Sequence, residues 1–191
     1  LLVAGVHLGN PASFRARGVP VPEAVTGRDL DRLTGHLERL RPRRLIVLGD
    51  LVHDAHGLEP ETADAFAAWR ERHAGVSVEL VPGNHDARTR GVDLPGVRRQ
   101  SAVIEVDGLD LCHEAEPAPS RPTLGGHLHP GVRLGGRSRD RLRVPVFWFE
   151  PRRGILPAFG QFTGLQPMVE TPDVRAFAAG PEDVVALDRW G

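Results

Sequence analysis

The ten residues LIVLGDLVHD, Leu45–Asp54, join an apolar run to a polar loop. The run Leu45–Leu48 is apolar and contains β-branched residues, which predicts a buried strand that stops at Gly49. Asp50 follows at the carboxyl end of this strand, where ligands bind in open α/β sheets. Aspartate is also common in turns, so Asp50 alone does not indicate a metal site.

Four further segments place a polar side chain after a short apolar run, as the first one does. The polar residues in these segments are His7, the pair Asn84-His85, His113, and the pair His127 and His129. Carboxylate, amide and imidazole groups from five separate segments predict one polar site that is assembled from loops.

The composition limits the class of protein. The 191 residues suffice for one domain with a sizeable core, and we predict a single domain over residues 1–191. The chain starts inside an apolar run with Leu1, so we expect that an N-terminal segment is missing. The formal net charge of −1 excludes a globally basic nucleic-acid-binding protein but not a local basic patch.

The cysteine content and hydropathy add two exclusions. The single cysteine, Cys112, excludes an internal disulfide and a cysteine-based zinc site. No apolar stretch approaches the roughly 18 residues of a membrane span, so we expect a soluble cytoplasmic protein.

Strands and helices alternate in the first half of the sequence. The order β-α-β-α-β predicts an α/β fold with a largely parallel sheet. The second half is strand-like and predicts a second sheet, with a hairpin around the Asp107-Gly108 turn. The predicted elements are strands at 1–6, 44–48, 76–81, 103–106, 109–112, 144–149, 154–159 and 183–187, helices at 28–41 and 59–75, and loops at 8–25 and 114–122.

The polar residues of the loops suit a site with two metal ions. Asp, Asn and His bind divalent transition metals of borderline hardness, such as Mn, Fe, Zn and Co. Two such ions about 3.5–4 Å apart stabilise the attacking and leaving oxygens of a phosphate ester, and a shared water becomes a hydroxide that attacks phosphorus in line. A carboxylate between two dications reduces their repulsion, and Asp50 is the candidate for this bridge.

Three motifs, in this order, resemble the signature of the calcineurin-like metallophosphoesterases: Gly49-Asp50, Gly83-Asn84-His85-Asp86 and Gly126-His127-Leu128-His129. Residues 13–20, 126–134 and 156–164 are similar to the bacterial ligase-associated DNA-damage-response metallophosphoesterases. The resemblance implies a four-layer αββα sandwich, with two mixed sheets packed face to face and helices outside. It also implies two divalent metal ions, typically Mn²⁺, and nuclease or phosphodiesterase action on DNA in a repair context, with a repair ligase or nuclease as partner.

The resemblance also assigns roles to single residues. One metal ion would bind His7, Asp50 and His129, and the other would bind Asp50, Asn84, His113 and His127. His85 would stabilise the phosphoryl transition state or protonate the leaving oxygen, and Asp86 would orient His85.

One position departs from the family pattern. The first family motif is Asp-x-His, whereas this sequence has Gly5-Val6-His7. The first metal has therefore lost its unshared carboxylate. Loss of a residue that only supports a metal ligand lowers metal affinity or activity by roughly 10–100-fold, and loss of a ligand should cost at least as much. Three outcomes are open. The first metal binds weakly, with water or Asp54 in the gap; the protein works with one metal; or it is a degenerate, inactive member.

Arginines near the motifs are candidates for binding substrate phosphates. Arg15 and Arg17 follow the first motif, and the alternative for them is a structural role in that loop. Arg137 and Arg139 belong to an arginine-rich stretch at 133–143, and the alternative there is a solvated loop.

The leading hypothesis is a divalent-metal phosphodiesterase or endonuclease that acts on DNA. The motifs alone support only phosphoester hydrolysis, so a small-molecule phosphatase and a cyclic-nucleotide phosphodiesterase stay open as alternatives. Gly5 also fits a catalytically degenerate binding or scaffold protein, although a scaffold has no use for the His85-Asp86 pair.

Overall fold

The computed structural model describes residues 1–16, 18, 25–54, 58–89, 94–118, 120–135 and 141–188. The first half of the chain forms a parallel sheet of four strands in the order β1-β2-β3-β4. The strands are β1 (Leu2–Val3), β2 (Arg44–Leu48), β3 (Ser77–Val81) and β4 (Val97–Arg99). The helices between them are α1 (Asn10–Ala16), α2 (Val25–Leu40), α3 (Pro60–Arg72) and α4 (Asn84–Arg88). The predicted alternation of strands and helices is confirmed.

The two long helices bury apolar faces against this sheet. In α2, Leu30, Leu33 and Leu37 recur at spacings of three and four, which places them on one face. They are buried in one cluster with Phe66 and Trp69 of α3 and with side chains of β2 and β3. Burying a side chain of this size contributes roughly 1.5–3 kcal/mol, so this cluster holds the helices on the sheet.

The second half forms a mixed sheet of nine strands. Seven of them follow the order β11-β8-β9-β10-β7-β6-β5, and β12 pairs with both β9 and β13. They are β5 (Val103–Val106), β6 (Leu109–Cys112), β7 (Thr123–Gly125), β8 (Pro130–Gly135), β9 (Arg141–Glu150), β10 (Arg153–Ile155), β11 (Gln166–Pro167), β12 (Arg175–Ala179) and β13 (Val184–Leu187). β5 and β6 form the predicted hairpin, since Asp107 and Gly108 both have the positive φ that its tight turn requires.

The two sheets pack face to face through a second apolar cluster. Ile46, Leu48 and Val81 from the first sheet are buried in this cluster with Leu111 and Leu124 from the second. The predicted α/β sandwich is confirmed.

In the described part of the chain, the long helices of the sandwich lie on the first sheet. All helices that the structure describes precede β4. On the other face of β9, Val146 and Trp148 pack with Val132, Ile155 and Ala176, which belong to β8, β10 and β12.

The structure adds elements that the sequence did not indicate. α1 lies inside the expected loop 8–25, and the strand expected at 154–159 is limited to β10. The strands β7 and β8 are short or contain Gly and Pro, which hides them from pattern analysis. Among the helices that the structure describes, none has both the length and the apolar character needed to cross a membrane.

Candidate metal centre

The loops that follow β1, β2 and β3 meet at one edge of the first sheet. These strands are parallel, so their carboxyl ends lie side by side and carry His7, Asp50 and Asn84. Two backbone bonds hold the first two loops together. The N–H of Gly5 donates to the carbonyl of Gly49 at 3.2 Å, and the N–H of His7 donates to that of Asp50 at 2.8 Å.

The second sheet supplies the remaining histidines of the predicted site. His113 follows β6, and His127 and His129 follow β7. The backbone N–H groups of Gly126 and His127 both donate to the carbonyl of His113, at 3.0 and 3.1 Å. These bonds hold the two histidine loops together, and the structure thereby brings all the proposed metal ligands to one place.

His7, Asp50 and His129 form a first group of potential metal ligands, hereafter the first group. His7 Nε2 lies 3.2 Å from His129 Nε2 and 3.8 Å from Asp50 Oδ2. Burial, together with the neighbouring imidazoles, lowers the pKa of His7 to about 2. Burial also lowers the pKa of His129, although the charge of Asp50 opposes this shift. Both rings are therefore neutral near pH 7, which is the form that binds a metal ion.

Asp50, His113 and His127 form another group of potential metal ligands, the second group, so Asp50 belongs to both groups. His113 Nε2 lies 3.4 Å from Asp50 Oδ2, 3.0 Å from His127 Nδ1 and 2.9 Å from the amide oxygen of Asn84. The carbonyl of Leu48 lies 3.0 Å from His113 Nδ1 and can only accept a hydrogen bond. The proton of neutral His113 is therefore on Nδ1, and the lone pair of Nε2 points to the group.

This arrangement fits a divalent cation. The Nε2 lone pair of His113, the carboxylate of Asp50 and the amide oxygen of Asn84 are all acceptors. Both oxygens lie within 3.4 Å of His113 Nε2. Acceptors so close repel one another unless a positive charge lies between them. Backbone carbonyls that hold the other nitrogen of a histidine ring are also typical of metal sites.

The backbone at the site adopts conformations that are rare for L-residues. His7, Asp50 and His129 have positive φ values of 52°, 55° and 47°, each at a cost of roughly 1–3 kcal/mol. Gly49 has no room for a side chain, because a Cβ there would lie 2.0 Å from Nδ1 of His113. Glycine at this position therefore lets the end of β2 approach the His113 ring closely.

His85 contacts the loop that carries Asp50. Its backbone N–H donates to Asp50 Oδ1 at 3.1 Å, and its Nδ1 donates to the carbonyl of His53. The His53 ring stacks on His85, with ring centroids 4.9 Å apart. Its Nδ1 also lies 3.3 Å from Nδ1 of His7, so His53 lines the site as well.

Comparison with known proteins identifies the family. The sequence profile described as calcineurin-like phosphoesterase matches residues 26–160. The chain belongs to the calcineurin-like phosphoesterase family. The nuclease MPE from Pseudomonas putida is 34% identical to it and has a TM-score of 0.82, over 97% of this chain and 86% of the nuclease.

Two further solved structures have lower similarity. The Aquifex aeolicus protein AQ665, of unknown function, is 17% identical with a TM-score of 0.45, over 72% of this chain and 80% of that protein. The E. coli phosphoesterase Yfce is 14% identical with a TM-score of 0.44, over 96% of this chain and 88% of that protein. Among curated proteins, none matches this phosphoesterase.

Asp86 of this phosphoesterase binds the backbone of the loops at the site. Its buried carboxylate accepts backbone N–H bonds at 2.6–3.3 Å from Asp50, Leu51, Val52 and Gly83. The loop backbone uses this carboxylate, and the carbonyl of His53 in the same loop holds the His85 ring, so the orientation of His85 by Asp86 stays a prediction. Asp86 fixes the loop after β2 against the loop after β3.

Replacing Asp86 by alanine is expected to lower the free energy of unfolding by more than about 3 kcal/mol, since each buried donor left without an acceptor costs about 1–3 kcal/mol. Urea unfolding of the metal-free protein measures the loss. Asp64→Ala, which removes an exposed carboxylate from α3, is the control and should change stability by less than about 0.5 kcal/mol. Equal stability of Asp86→Ala and the native protein would contradict this role.

The metal-free protein is expected to lose stability as the pH falls below neutral. The pKa of His7 is about 2 in the folded protein against 6.5 ordinarily, so between these values the unfolded chain binds more protons. The free energy of unfolding therefore rises with pH in this window, by up to about 1.4 kcal/mol per pH unit. Asp29 opposes the trend at the acid end, because burial raises its pKa to about 6 and the folded protein keeps that proton.

The His7→Gln variant isolates the contribution of His7 from that of Asp29. Thermal melts between about pH 4.5 and 7.5 should show a shallower pH dependence for His7→Gln than for the native protein. The same slope in both proteins would contradict a lowered pKa of His7.

Gly5 lies against the first group. It has a φ of +56°, and a Cβ at this position would lie 2.8 Å from His129 Nε2. Asp54, the proposed substitute for the missing carboxylate, accepts a bond from Ser13 Oγ at 2.7 Å. Asp54 is outside the groups of potential metal ligands found among the described residues, so the structure gives no support to this substitution.

One of the four predicted substrate-binding arginines lies among the described residues. Arg17, Arg137 and Arg139 lie outside the described residues. Arg15 is in α1, and its Nη2 donates to Glu59 Oε2 at 3.2 Å. This contact supports the structural role considered for Arg15, because it ties α1 to the start of α3.

Two sets of contacts in the site, those of Asp86 and those of His53, are not apparent from the motifs. For Asp86, a signal was present, since it is the third residue of α4, where a carboxylate accepts the free N–H groups of a helix start. For His53, the sequence shows only that it follows Asp50 by three positions in the same loop. Its contact with His85 depends on how the loops after β2 and β3 pack.

Proposed function

We propose that this chain is a metal-dependent phosphodiesterase that cleaves DNA, with Mn²⁺ as the metal. The observation that carries the proposal is that Asp50 belongs to both groups, with Oδ2 3.8 Å from His7 Nε2 and 3.4 Å from His113 Nε2. The first group would hold one ion, and the second group with Asn84 would hold the other. Two bound ions would supply positive charge that stabilises both oxygens of an in-line displacement at phosphorus. The oxygen atoms of Asp50 and Asn84 suit Mn²⁺.

The protein's own groups position the site and exchange protons. Asp50 Oδ1 accepts the N–H of His85, so the carboxylate that joins the two groups also fixes the His85 backbone. The carbonyl of His53 holds the His85 ring by Nδ1, which leaves Nε2 to exchange a proton with the leaving oxygen. The carbonyl of Leu48 holds the His113 ring in the same manner.

Two observations support DNA as the substrate class. The P. putida protein that is 34% identical over 97% of this chain is a nuclease. Exposed Arg133 and Arg143 are paired across β8 and β9, and the segment between these strands carries Arg137 and Arg139. Arginines bind phosphates by charge, without selecting a base sequence. The repair context and a ligase or nuclease partner rest on the sequence resemblance.

Hydrolysis assays with Mn²⁺ separate this proposal from other phosphoesterase activities. The native protein is expected to nick circular single-stranded DNA, and to hydrolyse bis(p-nitrophenyl) phosphate faster than p-nitrophenyl phosphate. The His85→Ala variant should lower the nicking of DNA by about 100- to 10,000-fold, because it removes the group that exchanges the proton with the leaving oxygen. Mn²⁺ binding should persist in this variant, since neither group that contains Asp50 includes His85.

His36→Ala, which removes a histidine from α2, is the control and should leave the rate unchanged. Faster hydrolysis of the monoester would contradict a phosphodiesterase. Hydrolysis of the small diester without nicking of DNA would contradict DNA as the substrate.

Gly5 favours a second candidate function, a non-catalytic DNA-binding or scaffold protein. The first group has no carboxylate except the shared Asp50, so it would hold an ion weakly. This candidate predicts DNA binding without hydrolysis at saturating Mn²⁺, in the native protein and in Gly5→Asp alike.

A further inference from the structure

A third group of potential metal ligands lies beside the two that share Asp50. It consists of His7, His53 and His85, with one ring nitrogen of each within 4.8 Å of the others. The Nδ1 atoms of His7 and His53 are 3.3 Å apart. The ring centroid of His85 is 4.9 Å from that of His53 and 5.1 Å from that of His7. All three ligands are imidazoles.

Hydrogen bonds and neighbours indicate which nitrogens of His85 and His7 are available. The carbonyl of His53 accepts the Nδ1–H of His85, so neutral His85 has its lone pair on Nε2. His7 presents Nδ1 to His53, and it presents Nε2 to His129 and Asp50. A neutral imidazole has one unprotonated nitrogen. His7 therefore serves either the third group or the first group, and not both at once.

We propose that His7, His53 and His85 form an alternative position for the first metal ion, selective for Zn²⁺ and other ions that prefer imidazole. Three histidines with an open fourth position are a common zinc environment, whereas Mn²⁺ prefers more oxygen ligands. Gly5 favours binding of the ion to the third group, because the first group lacks the carboxylate that would hold the ion there. A Zn²⁺ ion in the third group uses His7 and excludes an ion from the first group.

Counting bound Zn²⁺ tests this position without any measurement of hydrolysis. The Asp50→Asn protein is the background, because it removes the carboxylate from the first and second groups and leaves the three histidines intact. By equilibrium dialysis, the Asp50→Asn/His53→Ala protein is expected to bind one Zn²⁺ fewer per chain than Asp50→Asn. Asp50→Asn/His129→Ala should bind the same number as Asp50→Asn, since His129 is not in the third group. Loss of the ion with His129→Ala and its retention with His53→Ala would overturn the proposal.

A spectroscopic variant tests the contact of residue 53 with the ion. Co²⁺ replaces Zn²⁺ in such sites, and a thiolate bound to Co²⁺ absorbs in the near ultraviolet. The His53→Cys protein loaded with Co²⁺ should show this absorption, whereas the native protein, whose single Cys112 is buried, and His36→Cys should not. A Co²⁺-loaded His53→Cys protein without the band would overturn the assignment.

Discussion

Replacing Asp50 by asparagine is expected to lower Mn²⁺-supported diester hydrolysis by about 1,000-fold, since loss of one metal-binding partner typically costs about 10–100-fold and two ion positions lose the same charge. Asp50 is the carboxylate common to the first and second groups. Asparagine has nearly the same shape and tolerates the φ of 55° at this position. Its amide oxygen also keeps the bond from the N–H of His85. The loss therefore reports the missing charge rather than a change of fold.

Rates measured over a range of Mn²⁺ concentrations identify the cause of the loss. Weakened binding at both positions predicts that Asp50→Asn recovers part of its rate at high Mn²⁺. Asp64→Asn removes a carboxylate from the exposed face of α3 and should leave the rate unchanged. A rate for Asp50→Asn within about tenfold of the native rate at limiting Mn²⁺ would contradict a shared ligand.

Replacing Gly5 by aspartate is expected to raise the Mn²⁺ affinity of the first group by about 10–100-fold. A side chain at position 5 points into this group, because its Cβ would lie 2.8 Å from Nε2 of His129. The Cβ would also lie 3.2 Å from the Cβ of Ala158, so both His129 and Ala158 must shift slightly to accept it. Aspartate also tolerates the φ of +56° better than most residues do. The new carboxylate adds the negative charge that the first ion lacks.

Two variants separate charge from strain in this experiment. Gly5→Asn introduces the same shape without the charge, and Gly5→Ala introduces only the Cβ. Isothermal titration with Mn²⁺ should show the gain in Gly5→Asp alone. An equal affinity for Gly5→Asp and Gly5→Asn would show that the carboxylate is not a ligand.

The candidate site was predictable because its ligands follow short strands with clear patterns. Leu45–Leu48 is apolar, Val78–Val81 is apolar except for Glu79, and both are strands of the parallel sheet, so Asp50 and Asn84 lie at adjacent strand ends. The Asp107-Gly108 turn likewise fixed the hairpin that leads to His113.

Features that depend on tertiary packing were not predictable in the same way. The partners of Asp86 and of the His85 ring are backbone groups, and any residue type supplies those. The helix α1 was missed although Asn10-Pro11 is a common helix start, because the prolines and glycine after it indicated a loop. The alternative use of His7 by two ligand groups depends on which ring nitrogen faces which neighbour.

Stepwise addition of Mn²⁺ to chelator-treated protein tests the two-metal account within one set of samples. Bound ions are counted by equilibrium dialysis, and hydrolysis of bis(p-nitrophenyl) phosphate is followed at each step. We predict no hydrolysis without metal, a rate that rises as the second ion binds, and weaker binding of both ions in Asp50→Asn. Two bound ions without any hydrolysis, in the native protein and in Gly5→Asp alike, would contradict a phosphodiesterase.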